Sequence, residues 1–187
     1  LVFRGDSLLF TEGDSLIMGN GVYDIRNLMI QDSIRYVRLD GMIAKDKKIP
    51  LKLSLGGISL NLLDDLFPLI YQPTGLVNAE LEMYSLLYKP EIKGVSRIDS
   101  FALDGYGYGD IYSKVSWSQS NGDLALRASL WDGVDTTLTL AGNYATEDKK
   151  SPLDFDILSP SGGFPLNYAY PFVKTTLSVL EGKVNLE

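Results

Sequence analysis

Three close carboxylate pairs are the residues here whose type and spacing best suit chemistry: Asp64/Asp65, Asp132/Asp135 and Asp154/Asp156. Glycoside hydrolysis needs two carboxylates facing each other across a cleft. Asp154 and Asp156 instead stand two apart in an alternating run and so share its solvent face. Asp64 and Asp65 fit the favourable position of acidic groups near a helix N-terminus. The pairs therefore read as solvated surface. The run Asp104-Gly105-Tyr106-Gly107-Tyr108-Gly109-Asp110 lacks the ligand spacing and closing Glu of an EF-hand, and the Lys-Ser/Thr of a phosphate loop. It reads as a flexible strand connection. Arg4-Gly5-Asp6 spells a cell-adhesion tripeptide, but three residues recur often by chance. With no Cys and no His, thiol nucleophiles, Ser-His-Asp triads, disulfides and ordinary zinc sites are excluded. The expectation is a protein without catalysis, cofactor or metal.

The 187 residues carry 24 Asp+Glu against 17 Lys+Arg, a net charge of −7, which argues against nucleic acid as partner. A hydrophobic share of 45% suits a folded domain, and no apolar run reaches membrane-spanning length. The chain begins at Leu1 without a basic-then-apolar leader, as expected of a mature product or a segment of a longer protein. Leu186-Glu187 is either native or a cloning scar.

The elements that would position any site are mostly strands. Leu51, Leu53 and Leu55 follow Ile49 at alternate positions, as do Val77, Ala79, Leu81 and Met83. Ile111, Val115 and Trp117 share one face, and so do Leu124, Leu126, Ala128 and Leu130; Leu138 and Leu140, then Leu153, Phe155 and Ile157, continue the pattern. Period-2 alternation marks strands with one dry and one wet face. Asn121-Gly122 and Asp132-Gly133 supply the positive φ angles of tight turns, so the middle of the chain predicts an antiparallel meander.

Two segments break the alternation. Leu60, Leu63, Leu66, Phe67 and Ile70 recur at helical spacing behind Ser59 as N-cap, predicting a short helix near 59–71 that Pro68 kinks or ends. A second helix is expected near 166–180. Each is introduced by Gly-Gly (Gly56-Gly57, Gly162-Gly163) and followed by a glycine-led strand at Gly75 and Gly182. Both read as amphipathic caps.

The chain also repeats itself. Leu39-Asp40-Gly41-Met42-Ile43-Ala44 with Asp46-Lys47-Lys48-Ile49-Pro50-Leu51 returns as Leu140-Ala141-Gly142-Asn143-Tyr144-Ala145 with Asp148-Lys149-Lys150-Ser151-Pro152-Leu153. The offset is 101 residues before the turn and 102 after it. Gly75-Leu76-Val77-Asn78 returns as Gly182-Lys183-Val184-Asn185, and Ser15-Leu16-Ile17-Met18 before Tyr23-Asp24-Ile25 echoes Ser100-Phe101-Ala102-Leu103 before Tyr108-Gly109-Asp110-Ile111. This predicts the tail of one repeat over 1–48, a complete repeat over 49–150 and the head of the next over 151–187. Such repeats bury their apolar faces against their neighbours.

The inward residues are either the lining of an open groove or an ordinary closed core, and residue type alone does not separate the two. The candidate lining is Leu51, Leu53, Leu55, Val77, Ala79, Leu81, Met83, Phe101, Leu103, Val115, Trp117, Leu124, Leu126, Leu130, Leu138, Leu140, Leu153 and Phe155. Tyr84, Tyr88, Tyr106, Tyr108 and Tyr112 are expected around one turn region, on a sheet face or at a groove rim.

Gly75-Leu76-Val77-Asn78-Ala79-Glu80-Leu81, then Lys89-Pro90-Glu91-Ile92-Lys93-Gly94, Phe101-Ala102-Leu103-Asp104-Gly105 and Leu138-Thr139-Leu140-Ala141-Gly142 resemble the repeats of the TamB family. The resemblance runs from about residue 15 to the end and is weaker to the AsmA-like and bridge-like lipid-transfer relatives. It implies an all-β fold: an elongated antiparallel sheet folded into an open hydrophobic groove, a β-taco or β-roll, with one or two short helices. It also implies a periplasmic segment of an inner-membrane-anchored protein in a diderm bacterium, acting in outer-membrane biogenesis. The groove would conduct phospholipid or another amphipathic ligand between the membranes, with an outer-membrane barrel as partner of the whole protein. The alternative is an assembly-factor module that binds outer-membrane barrel precursors or a partner barrel by strand addition. A third class, a secreted carbohydrate-active β-sandwich, would need a cleft of carboxylates and aromatics.

Overall fold

A computed structural model describes residues 2–3, 6–7, 9–10, 15–44, 49–62, 71–120, 122–145, 153–159, 163–173 and 182–184. The chain is all-β, dominated by an antiparallel sheet of eleven strands whose two ends do not meet. Its first members are β3 (Leu9–Phe10), β4 (Ser15–Gly19), β5 (Val22–Gln31), β6 (Tyr36–Ile43) and β7 (Leu51–Ser59). Next come β8 (Pro73–Tyr84), β9 (Glu91–Leu103) and β10 (Tyr106–Ser118). The sheet finishes with β11 (Asp123–Trp131), β12 (Thr136–Ala145) and β13 (Leu153–Leu158). From β5 to β13 every strand pairs with its neighbour in sequence, so the expected meander extends well beyond the middle of the chain. Two small pairs lie apart from it: β1 (Val2–Phe3) with β2 (Asp6–Ser7), and β14 (Phe164–Pro165) with β15 (Lys183–Val184).

Tight turns set this order. Asn20-Gly21 and Asp104-Gly105 each put two consecutive residues at positive φ, the geometry that joins antiparallel strands through two residues. The expected loose connection over 104–110 is therefore a hairpin turn running straight into β10. Asp104 fixes it from outside, accepting the Gln72 amide at 2.8 Å.

Bulges interrupt several of the strands. Extra residues fall at Asn27 in β5, Gly57 in β7 and Ser100 in β9, all at positive φ, and at Tyr108 in β10, next to Gly109 at positive φ. Each one swaps which face the following side chains occupy and adds local twist. Gly56-Gly57 thus lies inside β7 rather than ahead of a helix, with the Gly57 amide held by Asn78 Oδ1 at 3.0 Å.

Each expected helix falls only in part within the described residues. Residues 61–62 are helical, and Ser59 Oγ accepts the Asn61 amide at 3.4 Å; Asp64, Asp65 and the rest of the first helix lie outside the described residues. The second is a 3₁₀ turn, Leu166–Ala169, continuing into one α-turn, α1 (Tyr170–Val173), with 174–180 outside the described residues. The strand after Gly182 pairs with β14 and not with the large sheet.

Two devices recur about a hundred residues apart. Asp32 Oδ1 accepts the amides of Ile34 (2.8 Å) and Arg35 (2.7 Å), and Asp132 Oδ1 accepts those of Val134 and Asp135 (both 2.9 Å). The Leu60 amide donates to the Gly75 carbonyl at 3.0 Å, and the Leu166 amide to the Gly182 carbonyl at 2.9 Å. The first device equates the β5–β6 hairpin with β11–β12. The sequence echo that set Tyr23-Asp24-Ile25 beside Tyr108-Gly109-Asp110-Ile111 would equate β5 with β10, and the turns do not support it.

Candidate functional site: the apolar face of the sheet

Directly paired residues of antiparallel strands point to the same face. One transverse row therefore reads Ile25, Gly41, Leu51, Met83, Ile92, Trp117, Leu124, Tyr144 and Leu153. The next reads Leu28, Leu39, Leu53, Leu81, Gly94, Val115, Leu126, Gly142 and Phe155. A third holds Leu55, Ala79, Ser96, Ser113, Ala128 and Leu140, and a fourth Val77, Ile98, Ile111, Leu130 and Leu138. Beyond the bulges Phe101 and Leu103 join the same side, packed with Ile111, Leu130 and Leu138. Register and packing thus place the candidate lining residues with described side chains on one face.

That face is apolar but thinly covered. Leu51, Ala79 and Leu130 are buried and the other candidates half-buried; the Leu153 side chain lies outside the described set. No large side chain among the described residues is fully buried. The two polar side chains in the third row satisfy each other, Ser96 and Ser113 sharing a hydrogen bond of 2.7 Å.

Only one end has a second layer among the described residues. There β14 and the turns after it lay Phe164 and Tyr168 over Tyr108, Leu130 and Leu138. Tyr108 Oη donates to the Tyr168 carbonyl at 2.7 Å and Tyr168 Oη to the Tyr108 carbonyl at 3.2 Å, with ring centroids 4.9 Å apart. Burial, and then the Asp104 carboxylate, pushes the Tyr108 phenol above its ordinary range; burial and then Asp132 does the same to Tyr168. Between sheet and cap lies a cavity of about 440 Å³. Tyr71 meets Phe172 edge-on at 5.1 Å.

The opposite face is polar. Lys52 pairs with Glu82 at 3.6 Å, and Ser54 Oγ donates to Glu80 at 3.2 Å. Arg97 holds Asp110 at 2.8 Å and lies over the Tyr112 ring at 5.2 Å. Hydrogen bonds from the Ser100 amide and from Arg97 keep the Asp110 carboxyl below the usual range. Asp154 and Asp156 sit on this face too, paired in register with Asn143 and Ala141.

The structure separates the tyrosines expected around one turn. Tyr84 and Tyr88 lie at the β8–β9 turn, whereas Tyr106 opens β10 at the other end of the strands; Tyr112 is exposed on the polar face and Tyr108 is buried. Sequence alternation missed Ile92 and Ile98 because glycine and serine stand between them on the same face. It missed Leu28 because the Asn27 bulge breaks the period. Tyr168, from the segment expected as a helix, was not among the candidates.

No helix among the described residues is long and apolar enough to cross a membrane. No family model, curated protein or solved structure matches this chain, so the TamB-family resemblance rests on its sequence landmarks.

Proposed function

We propose that the apolar face holds the acyl chains of phospholipid or a similar amphipath, with head groups left at its wet margin. The observation that carries this reading is that the candidate lining residues with described side chains share one face of an unclosed sheet that the described residues cover only at one end. Apolar surface of this extent favours a partner that removes it from water, and acyl chains do so without directional bonds. Such binding needs no reactive group, which suits a chain without Cys or His. The setting, a periplasmic segment of a TamB-like protein moving phospholipid between the two membranes of a diderm bacterium, follows from the sequence resemblance.

The test is to purify the protein from diderm cells and identify co-purifying lipid by mass spectrometry. Phospholipid in the wild type, lost in Leu81→Glu and Leu126→Glu variants, supports the reading. A protein free of lipid, with glutamate tolerated at both positions, contradicts it.

A second reading is favoured by the last strand. The outer edge of β13 has no pairing partner among the described residues, and Ile157 and Leu158 are about half exposed (49% and 50%). An open edge of this kind accepts an added strand, as in uptake of a barrel precursor. Proline substitutions along β13 would then remove function while charges in the apolar face were tolerated; lipid conduction predicts the reverse.

A further inference from the structure

We infer that the cavity beneath the 163–173 cap is a terminal subsite that takes the methyl end of one acyl chain and so fixes the chain's direction on the sheet. This inference rests on the lipid reading above and adds polarity and a stopping point to it.

The walls set the ligand class. The sheet side presents Ile111, Leu130 and Leu138, and the cap presents Phe164, Tyr168 and Phe172. The hydroxyls of the two lining tyrosines are already engaged, each donating to the other's carbonyl, and Ser129, the remaining polar residue of the lining, pairs in register with Tyr112 on the polar face. No buried side-chain oxygen or nitrogen among the described residues lacks a partner. A head group entering this space would lose its own hydrogen bonds and find none in exchange, whereas an alkyl chain loses nothing. A volume of about 440 Å³ lies in the range of small-ligand sites.

The cavity also joins the open face. Ala128 and Leu140 line it and belong to the third row, directly beside Leu126 in the second. From Leu138 to Tyr144 the strand advances about 20 Å at about 3.3 Å per residue. One leaflet's acyl region is about 15 Å thick, half the bilayer core. A chain seated with its methyl end under Tyr168 would therefore bring its carboxyl end just past the row of Val115, Leu126 and Gly142, about 13 Å from Leu138, and short of the row of Trp117, Leu124 and Tyr144 at the far margin of the sheet.

Two photoreactive palmitic acids distinguish the outcomes, one with a diazirine at the methyl terminus and one with it beside the carboxyl group. Each is added to the intact protein and mapped by peptide mass spectrometry after illumination. The terminal probe should label 128–138 or 164–173, and the carboxyl-proximal probe 115–126 or 142–144. Ala169→Trp, which fills the cavity from the cap, should lose terminal-probe labelling in the cavity and keep labelling of the open face. Ala128→Trp fills it from the sheet and guards against a cap that fails to form. Terminal labelling confined to the first and second rows, or both probes spread alike, overturns the subsite and leaves the lipid reading standing. Labelling by neither probe overturns both.

Discussion

Tyr108 and Tyr168, 60 positions apart, each donate a phenolic hydrogen bond to the other's backbone carbonyl, at 2.7 and 3.2 Å. This reciprocal pair fastens the cap to the sheet at the end where, among the described residues, the apolar face has a second layer. It joins residues that no local pattern relates.

Removing either hydroxyl should loosen the cap. Tyr108→Phe keeps the ring and its packing but leaves the Tyr168 carbonyl unpaired in a buried site, a loss of about 1–3 kcal/mol. Urea unfolding of the single and double Tyr→Phe variants measures it. The double variant should fall short of the summed single losses if the two bonds act together.

The same pair predicts a weakness at alkaline pH. Both phenols have folded-state values raised by burial, while the unfolded chain ionises near its ordinary value of about 10. The unfolded state therefore gives up protons first as pH rises. Stability from this pair is fully present below about pH 10 and declines above it, through the raised folded values. The Tyr108→Phe/Tyr168→Phe variant should show a shallower alkaline loss in urea titrations across that range.

Acid should act on the β5–β6 turn. Backbone amides of Ile34 and Arg35, with the Arg35 guanidinium, hold the Asp32 carboxyl down to about 2. The unfolded carboxyl titrates near its ordinary value of about 4. The charge thus supports folding above that value, and the support is lost as pH falls towards 2. Asp32→Asn retains an acceptor without the charge and should flatten the acid limb of the unfolding curve.

Glycine on the apolar face is a packing requirement. A Cβ at Gly94 would stand 2.6 Å from the Glu80 carbonyl oxygen and collide with the Leu81 side chain. Gly94→Ala should cost about 1–3 kcal/mol, as overpacking does. At Gly107 a Cβ meets nothing within 4 Å, so Gly107→Ala serves as the neutral control in the same thermal melts.

The strands and the face to which Leu53, Leu81 and Leu126 belong were legible because alternation is a local consequence of the pleat. The breaks in that alternation were not. Asn27 and Ser100 stand at positive φ with their amides held by the Asp40 and Asp110 carboxylates of the neighbouring strands, both at 2.9 Å, and nothing beside them in sequence marks a bulge. The repeated turn was visible only in part: Asp132-Gly133 signals a turn, but Asp32-Ser33 forms the same one without glycine. Both turns leave a β-branched apolar residue in solvent, Ile34 at 78% and Val134 at 81% exposure. The cap's attachment was hidden because it depends on a contact across 60 residues.

The central claim is that lipid lies on one face of the sheet and not the other. A photo-crosslinking amino acid placed at Leu81, Leu126 or Val95 tests it in a single comparison. Val95 is apolar and 50% exposed, but it pairs in register with Glu80 and Lys114 on the polar face. Phospholipid adducts at Leu81 and Leu126 with none at Val95 are the predicted result. Equal labelling at all three positions, or none at Leu81 and Leu126, would contradict the account.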